Sequence, residues 1–185
     1  MTPSDEELLD RARRGDHRAF QYLVERYEAQ VAATVVGMLG QGPEAEDVGQ
    51  ETFIRFYSAL HTFRGDARLG TYLTRIAINE SIKALRRRQR RVRRFLRRDA
   101  EETPLDLSAI EHGHTIDDRE RAEMVHKALK TLNPAHRAVV VLRMLEGYST
   151  RETAALLNVP EGTVMSRLSR ALDKLERILG PILGE

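Results

Sequence analysis

Apolar residues recur at steps of three and four along most of this 185-residue chain, and no segment shows the strict alternation typical of a strand. The longest such series begins at Phe20 and ends at Met38, where Gly37, Gly40 and Gly42 interrupt it. A helix with this spacing has one apolar face, which must pack against other helices. The sequence therefore predicts an all-α fold.

Capping residues and helix breakers divide the pattern into separate helices. Ser4 and Ser149 each stand three residues before a Glu, the arrangement of a capping box. We predict a third helix from Glu44 to about His61, after Pro43, and a fourth helix from the cap Thr71 to about Arg98. Two apolar stripes follow in the second half, made by Met124, Val125, Ala128, Leu129 and Leu132, and by Val139, Val140, Leu142, Met144 and Leu145.

Charge is segregated along the chain, although the net charge is only +2. Residues 1–98 carry +6, residues 99–123 carry −7 and residues 124–185 carry +3. Two basic blocks that flank an acidic strip indicate nucleic-acid or acidic partners. We predict two small helical domains, 1–98 and 119–185, joined by an acidic linker over 99–118.

Several classes of function find no support in the sequence. The chain has no Cys, no Gly-rich phosphate loop followed by Lys, no metalloprotease helix signature and no nucleophile elbow. His112 and His114 stand close together, but two His in a polar linker are more often simply polar, so we expect no metal and no cofactor. The lack of these catalytic motifs predicts that the chain is not an enzyme. The acidic N-terminus and the lack of a long apolar run predict a soluble cytoplasmic protein.

The segment from Ser149 to Leu179 has the dimensions of a helix-turn-helix. Val164, Leu168 and Ala171 fall on the side of the second helix that would pack inward. The opposite side, near the helix N-terminus, carries the residues that would reach the major groove. These candidates for DNA contact are Thr163, Met165, Ser166, Arg167, Ser169 and Arg170. An ordinary helical hairpin with a solvated polar face is the alternative.

Residues 81–98 contain ten cations and no acid. Phosphates would relieve the repulsion among them through counterion release. The alternative is a solvated helix end that the acidic linker neutralises.

A further patch lies on the predicted third helix. Asp47, Gln50, Glu51 and Ile54 are spaced i, i+3, i+4 and i+7, so they form a polar and acidic face around one exposed aliphatic residue. Solubility alone would also explain such a face.

Three strings taken together resemble the extracytoplasmic-function (ECF) sigma factors of bacterial RNA polymerase. They are Glu44-Ala-Glu-Asp-Val-Gly-Gln-Glu-Thr-Phe-Ile-Arg55, Thr71-Tyr-Leu-Thr-Arg-Ile-Ala-Ile-Asn79 and Gly162-Thr-Val-Met-Ser-Arg-Leu-Ser-Arg-Ala171. Their order and separation cover nearly the whole chain. The resemblance implies two helical domains, sigma region two and sigma region four, joined by a linker that threads toward the RNA path of the polymerase.

The resemblance also implies a role for each surface. Asp47, Gln50, Glu51 and Ile54 would bind the coiled coil of the polymerase β′ subunit, and the second domain would contact the β flap. The last helix would read the −35 promoter element. The −10 element would be bound by a loop that captures a flipped base and by the basic helix, through Phe63, Arg64, Gly65, Asp66, Ala67, Arg68, Tyr72, Asn79, Lys83, Arg86, Arg87 and Arg90.

An anti-sigma factor, often tethered to the cytoplasmic membrane, is the remaining partner that the resemblance implies, and no small-molecule substrate is expected. Three residues depart from the family pattern: Tyr72 stands where many members carry Trp, Gly49 replaces an aliphatic residue, and Met165 occupies a position that is commonly basic. A stand-alone helix-turn-helix repressor or activator is the alternative function.

Overall fold

The computed structural model describes residues 3–65, 67–96 and 118–183. Its first half contains four helices, which we call the N-terminal unit: α1 (Asp5–Arg13), α2 (His17–Leu39), α3 (Pro43–Ala59) and α4 (Leu69–Leu96). Its second half is the C-terminal unit: α5 (Asp118–Thr131), α6 (Pro134–Val140), a π-helical segment (Val141–Leu145), α7 (Thr150–Leu157) and α8 (Glu161–Leu183). The described residues contain no strand, so the predicted all-α class is confirmed.

Local chemistry sets the ends of these helices. The Ser4 hydroxyl accepts a hydrogen bond from the backbone N–H of Glu7, whose carboxylate accepts one from the N–H of Ser4, which completes the predicted capping box. Gly40 ends α2 with a φ of +82°, a conformation that a residue with a Cβ rarely adopts. Pro43 occupies the first turn of α3, where its missing N–H has no intrahelical partner to lose.

An aromatic cluster forms the centre of the N-terminal unit. Phe56 of α3 is fully buried, and its ring lies 5.7 Å from Phe20, 6.2 Å from Phe63 and 6.2 Å from Tyr72 between ring centroids. Phe63 and Tyr72 also contact each other at 4.7 Å. These separations fall in the range of favourable aromatic pairs, so the cluster fixes α2, α3 and the start of α4 together.

The C-terminal unit packs α8 across its other helices. Ala171 of α8 is buried with Leu129, Leu132 and Val140, and Val164 is buried with Val139 and Ala154. The small Ala154 on α7 therefore lies where α7 and α8 cross.

Several boundaries differ from the predictions. Helix α3 ends at Ala59 rather than near His61, and α4 begins at Leu69, before the predicted cap Thr71. The acidic linker predicted over 99–118 lies outside the described residues, except for Asp118, where α5 begins.

The second apolar stripe of the C-terminal unit is partly wrong. Met144 and Leu145 are 57% and 54% exposed, and Val125 of the first stripe is also exposed. The cause at Met144 and Leu145 is the π-helical segment, in which the Glu146 N–H bonds the Val141 carbonyl five residues back at 2.9 Å. The wider turn changes the angular step, so an extrapolation with the α-helical period assigns these residues to the wrong face.

The two units pack against each other. The main core of the N-terminal unit extends without interruption into Ala138, Val141, Leu142 and Leu156 of the C-terminal unit. The charge pattern predicts separate domains, but it does not predict this shared apolar core.

Candidate functional site

The acidic patch of α3 lies on the surface of the N-terminal unit. Asp47 and Gln50 are exposed, Glu51 is half-buried, and Ile54 is 58% exposed although it is a large aliphatic residue. Exposure of a large apolar side chain among acids is expected of a surface that binds a protein partner. The structure thus brings these four predicted residues together on one face.

A groove of about 540 Å³ lies beside this patch, between α2 and α3. Val31, Val36 and Phe53 contribute apolar lining, and Gln50 of the patch also reaches it. Gly49 lines the groove too, and a Cβ at that position would meet no atom within 4 Å. Gly49, which replaces an aliphatic residue of the family pattern, therefore leaves open space next to the patch.

An ion-pair network joins the patch to α4. Arg55 Nε lies 2.8 Å from a Glu51 carboxylate oxygen and 3.0 Å from one of Glu80, and Lys83 Nζ lies 2.8 Å from the same Glu80 oxygen. The Glu80 side chain is almost fully buried, so its charge requires partners. Lys83, a predicted DNA contact, is thereby held in place by Glu80.

The loop between α3 and α4 exposes its two arginines. Arg64, Gly65, Ala67 and Arg68 are exposed, and Gly65 has a φ of +78°. Asp66 lies outside the described residues.

Phe63, in contrast, is only 8% exposed because its ring belongs to the aromatic cluster. Arg13 of α1 secures this part of the loop: its Nε donates to the Leu60 carbonyl at 3.1 Å, and its guanidinium also donates to the Phe63 carbonyl. Tyr72 is half-buried against Phe63. The structure therefore places Phe63 at the base of the loop and the arginines on its surface.

One face of α4 carries most of the predicted contacts to the −10 element. Tyr72, Asn79, Lys83, Arg86 and Arg90 are spaced so that they share a single side of the helix. All of them except Tyr72 are exposed. Arg87 is exposed as well, about 60° around the helix from this row at 100° per residue. The face combines one aromatic ring, one amide and several cations, a composition suited to a nucleic-acid strand.

The helix-turn-helix forms as predicted. A second capping box, Ser149 with Glu152, begins α7, and Asn158 ends it in the left-handed conformation with a φ of +52°. Val164 and Ala171 hold α8 from the inner side. The opposite side of α8 presents Ser166, Ser169, Arg170 and Met165, the last at 63% exposure, whereas Thr163 and Arg167 are half-buried.

Positive charge accumulates around this helix. Burial lowers the pKa of His136, and three nearby cations lower it further: Arg167, Arg170 and Lys174. Their combined effect on one imidazole indicates a positive field along this side of α8. A positive field of this kind attracts the phosphate backbone of DNA.

Both candidate DNA-binding surfaces border the same cleft. Asn79, Lys83 and Arg86 of α4 line one wall, and Arg167 of α8 with Val159 lines the other. The cleft has a volume of about 600 Å³. The sequence predicts that these walls bind separate promoter elements, but it does not predict that they face each other.

Three supporting residues were not predicted from the sequence. Arg13 holds the loop, Glu80 holds Arg55 and Lys83, and Arg137 is a 4% exposed cation in an apolar stretch of α6. Only Arg137 carries a sequence signal, because a charge followed directly by Ala138, Val139 and Val140 falls on a face that must be buried.

Two further findings concern sites of other kinds. His112 and His114 lie outside the described residues, and within the described ones no three metal-binding side chains come together. Over the same described ranges, each helix is too short or too polar to cross a bilayer.

Comparison with known families gives two matches along the chain. The family model for Sigma-70 region 2 matches residues 23–91, which include α3, the loop and most of α4. The family model for Sigma-70, region 4 matches residues 122–175, which include α7 and most of α8.

Individual proteins match over almost the full length. The RNA polymerase sigma-H factor of Pseudomonas aeruginosa is 36% identical over 98% of this chain and 96% of its own. The ECF RNA polymerase sigma-E factor of Escherichia coli K12 is 32% identical over 97% of this chain and 96% of its own.

Solved structures agree with this pattern. The structure of CnrH in complex with the cytosolic domain of CnrY matches with a TM-score of 0.66 and 28% identity, covering 96% of this chain and 97% of CnrH. The sigma factor RpoE of Bartonella quintana, in complex with the anti-sigma factor NepR, has the same fold at a TM-score of 0.65 and 22% identity, covering 87% of this chain and 96% of its own.

Proposed function

This chain belongs to the ECF sigma factors of bacterial RNA polymerase, which direct promoter-specific initiation, and from that membership we propose which of its surfaces performs each step. Residues 1–98 act as sigma region two, residues 99–118 as the acidic linker and residues 119–185 as sigma region four. The positions of the two family matches, 23–91 and 122–175, support this division.

The core polymerase docks on the α3 patch. Asp47, Gln50, Glu51 and Ile54 bind the β′ coiled coil, and the C-terminal unit contacts the β flap. The exposure of Ile54 beside acidic residues supports this assignment, because an aliphatic centre with a charged rim matches the anatomy of a protein interface.

The loop and the basic face of α4 bind the −10 element. Arg64, Gly65, Asp66, Ala67 and Arg68 surround the flipped base, while Asn79 and the cations from Lys83 to Arg90 hold the strand. Phe63 supports the loop from beneath and positions Tyr72, which is the aromatic ring nearest the strand. Extrusion of the base costs a few kcal/mol, which backbone charge contacts offset.

Helix α8 reads the −35 element in duplex form. Arg170, Ser166 and Ser169 lie on its exposed side near the N-terminus, where a recognition helix meets base edges. Arg167 is half-buried and better placed for phosphate, and Thr163 begins the helix beside it. Met165 supplies apolar contact where family members commonly place a cation.

The chain performs its role by binding alone, without covalent chemistry of its own. We place it in the cytoplasm with the polymerase and expect an anti-sigma factor to control it, held at the inner face of the membrane. The complex of CnrH with the cytosolic domain of CnrY supports a partner of this kind. A stand-alone repressor is not favoured, since the docking patch would then have no role.

The exposed Ile54 at the centre of the acidic patch carries this proposal, and binding to core polymerase tests it. Ile54→Ala and Asp47→Ala should each weaken the affinity for core enzyme by about 1–2 kcal/mol, roughly 5- to 30-fold in Kd, if they lie at the energetic centre of the interface. The measurement is the fluorescence anisotropy of labelled chain titrated with core polymerase.

Tyr22→Ala and Glu6→Ala are matched controls, because both residues are exposed on the N-terminal unit outside the patch. They should leave the Kd unchanged. Equal affinity of the Ile54 and Asp47 variants and of the parent chain would remove the docking assignment.

A further inference from the structure

Helix α1 is anchored to the rest of the N-terminal unit. Three of its apolar side chains are buried in the main core: Leu8, Leu9 and Ala12. Asp5, in its first turn, accepts hydrogen bonds from Arg26 and from the hydroxyl of Tyr27, both on α2. These contacts fix the position of α1, although the helix precedes residues 23–91, the part of the chain that matches Sigma-70 region 2.

The last turn of α1 carries an arginine that reaches the end of α3. Arg13 Nε donates to the Leu60 carbonyl at 3.1 Å, and Arg13 Nη2 donates to the Phe63 carbonyl. The remaining nitrogen, Nη1, lies 3.3 Å from a carboxylate oxygen of Asp10, which is also on α1. The planar fork of the guanidinium allows this one side chain to hold two carbonyls at once.

The two carbonyls lie where α3 gives way to the loop. Leu60 is the C-terminal cap of α3, and Phe63 stands directly before the exposed part of the loop. The last carbonyls of a helix have no intrahelical donor and form the negative end of its dipole. Arg13 therefore supplies both the donors and the positive charge that this end of α3 requires.

The exposed part of the loop is short and begins and ends at buried residues. Phe63 is 8% exposed and Leu69 is 4% exposed, whereas residues 64–65 and 67–68 are exposed. A short segment between fixed ends has few conformations, so it loses little entropy when it binds a ligand. Because Arg13 holds the first of these ends, it limits the conformations of the segment.

We propose that Arg13 is a positioning residue for recognition of the −10 element. It fixes the base of the loop between α3 and α4, so that the loop is already shaped for a flipped base before the DNA strand arrives. Arg13 does not contact the DNA itself, and the cations of α4 supply the phosphate contacts. This role in recognition rests on the proposed function of the loop, whereas the restraint on the loop does not.

Discrimination of the flipped base by the holoenzyme tests the role in recognition. The probe is a single DNA strand that spans the −10 element of a promoter whose start site has been mapped with this chain. A series of strands, each with one abasic position, identifies the base whose removal weakens binding most. Arg13→Gln should reduce the ratio of affinities for the intact strand and that abasic strand about three- to tenfold, because the loop must then become ordered during binding. The affinity for the abasic strand, which phosphate contacts determine, should not change.

Two further variants show whether the fork of Arg13 is responsible. Arg14→Gln is the matched control, because Arg14 is the next residue, is exposed and loses the same charge. It should leave the affinity ratio unchanged. Arg13→Lys keeps the charge but loses the fork, so its ratio should lie between those of Arg13→Gln and the parent chain.

Affinities for core polymerase and for a −35 duplex separate positioning from general destabilisation. Both should equal the parent values in Arg13→Gln, because only the loop is affected. An affinity ratio in Arg13→Gln that equals that of the parent chain would overturn the proposal. A ratio in Arg13→Lys as low as that in Arg13→Gln supports the fork, and the same loss in Arg14→Gln would contradict it.

Hydrogen exchange measured by NMR on the free chain tests the restraint without DNA. The amides of Thr62 and Phe63 both donate to the Ala59 carbonyl at 3.0 Å, next to the carbonyls that Arg13 holds. Arg13→Gln should raise the exchange rates of these two amides about tenfold and leave those of α8 unchanged. Unchanged rates at both amides would contradict the restraint, and so would a uniform rise across α1 to α4, which would mark a global effect.

The two measurements separate this proposal from the proposed function. If Arg64→Ala and Arg68→Ala lower the affinity ratio and Arg13→Gln does not, the positioning role fails while the loop keeps its assignment. If no promoter supports transcription with this chain, the proposed function fails, and hydrogen exchange still decides whether Arg13 restrains the loop.

Discussion

Two glycines inside helices of the N-terminal unit have different surroundings. Gly49 on α3 faces open space, whereas Gly37 on α2 has the methyl groups of Val141 where its Cβ would be. The sequence marks both as unfavourable for a helix, because Gly costs about 1 kcal/mol relative to Ala in a helix interior. The two positions differ in their surroundings, which the sequence does not reveal.

Alanine at each position should therefore have a different effect on stability. Gly49→Ala should raise the free energy of unfolding by about 0.5–1 kcal/mol, because it gains helix propensity without a new contact. Gly37→Ala gains the same propensity but must displace Val141, so its net gain should be smaller or negative. Urea unfolding followed by circular dichroism measures both, and equal stabilisation would contradict the close packing at Gly37.

Tyr72 and Phe63 illustrate how burial changes the interpretation of a residue. Both belong to the predicted −10 surface, and the spacing alone does not rank them. Phe63 is buried at the base of the loop, while Tyr72 is half-buried with its ring against Phe63. This difference in burial arises from the aromatic cluster, which contains residues from α2, α3 and α4. No local sequence pattern predicts contacts between residues so far apart in the chain.

At the scale of the helix, α4 and α8 present different chemistries to DNA. The basic end of α4 carries successive exposed arginines, whereas α8 presents a mixed set of Ser, Met and Arg beside a positive field. Successive cations hold a phosphate backbone, while a mixed face close to the major groove can distinguish bases.

Single substitutions on the two helices should separate these roles. Arg170→Ala should weaken binding to the −35 duplex by about 1–3 kcal/mol and change the preferred sequence at one position. Arg87→Ala should weaken promoter binding to all sequences alike and reduce the salt slope, log K against log salt, by about 0.9. Competition binding of holoenzyme across a salt series measures both, and unchanged −35 affinity and preference in Arg170→Ala would remove α8 as the reader.

The helices themselves were largely predictable from the sequence. Apolar periodicity and capping residues located α1, α2, α7 and most of α8, because these signals are local. The π-helical segment at Val141–Leu145 was not predicted, because its apolar residues fit an α-helical period equally well. The exposure of Met144 and Leu145 follows from that difference.

For the whole molecule, the sequence predicts which surfaces exist better than it predicts where they lie. The patch on α3, the basic face of α4 and the exposed side of α8 all follow from spacing along single helices. Their mutual positions depend on contacts such as Arg137 with Met38 and Tyr148 with Thr74, which join residues far apart in the chain. Neither pair carries a pattern in the sequence, so the packing of the two units against each other could not be predicted.

Transcription with purified components tests the central claim most directly. Core polymerase from the native host should be incubated with fragments of that host's genome, with and without this chain, and the 5′ ends of the transcripts should be mapped. We predict discrete start sites that depend on the chain and share one pair of upstream −35 and −10 elements. Absence of chain-dependent transcripts, or start sites without shared upstream elements, would contradict the account.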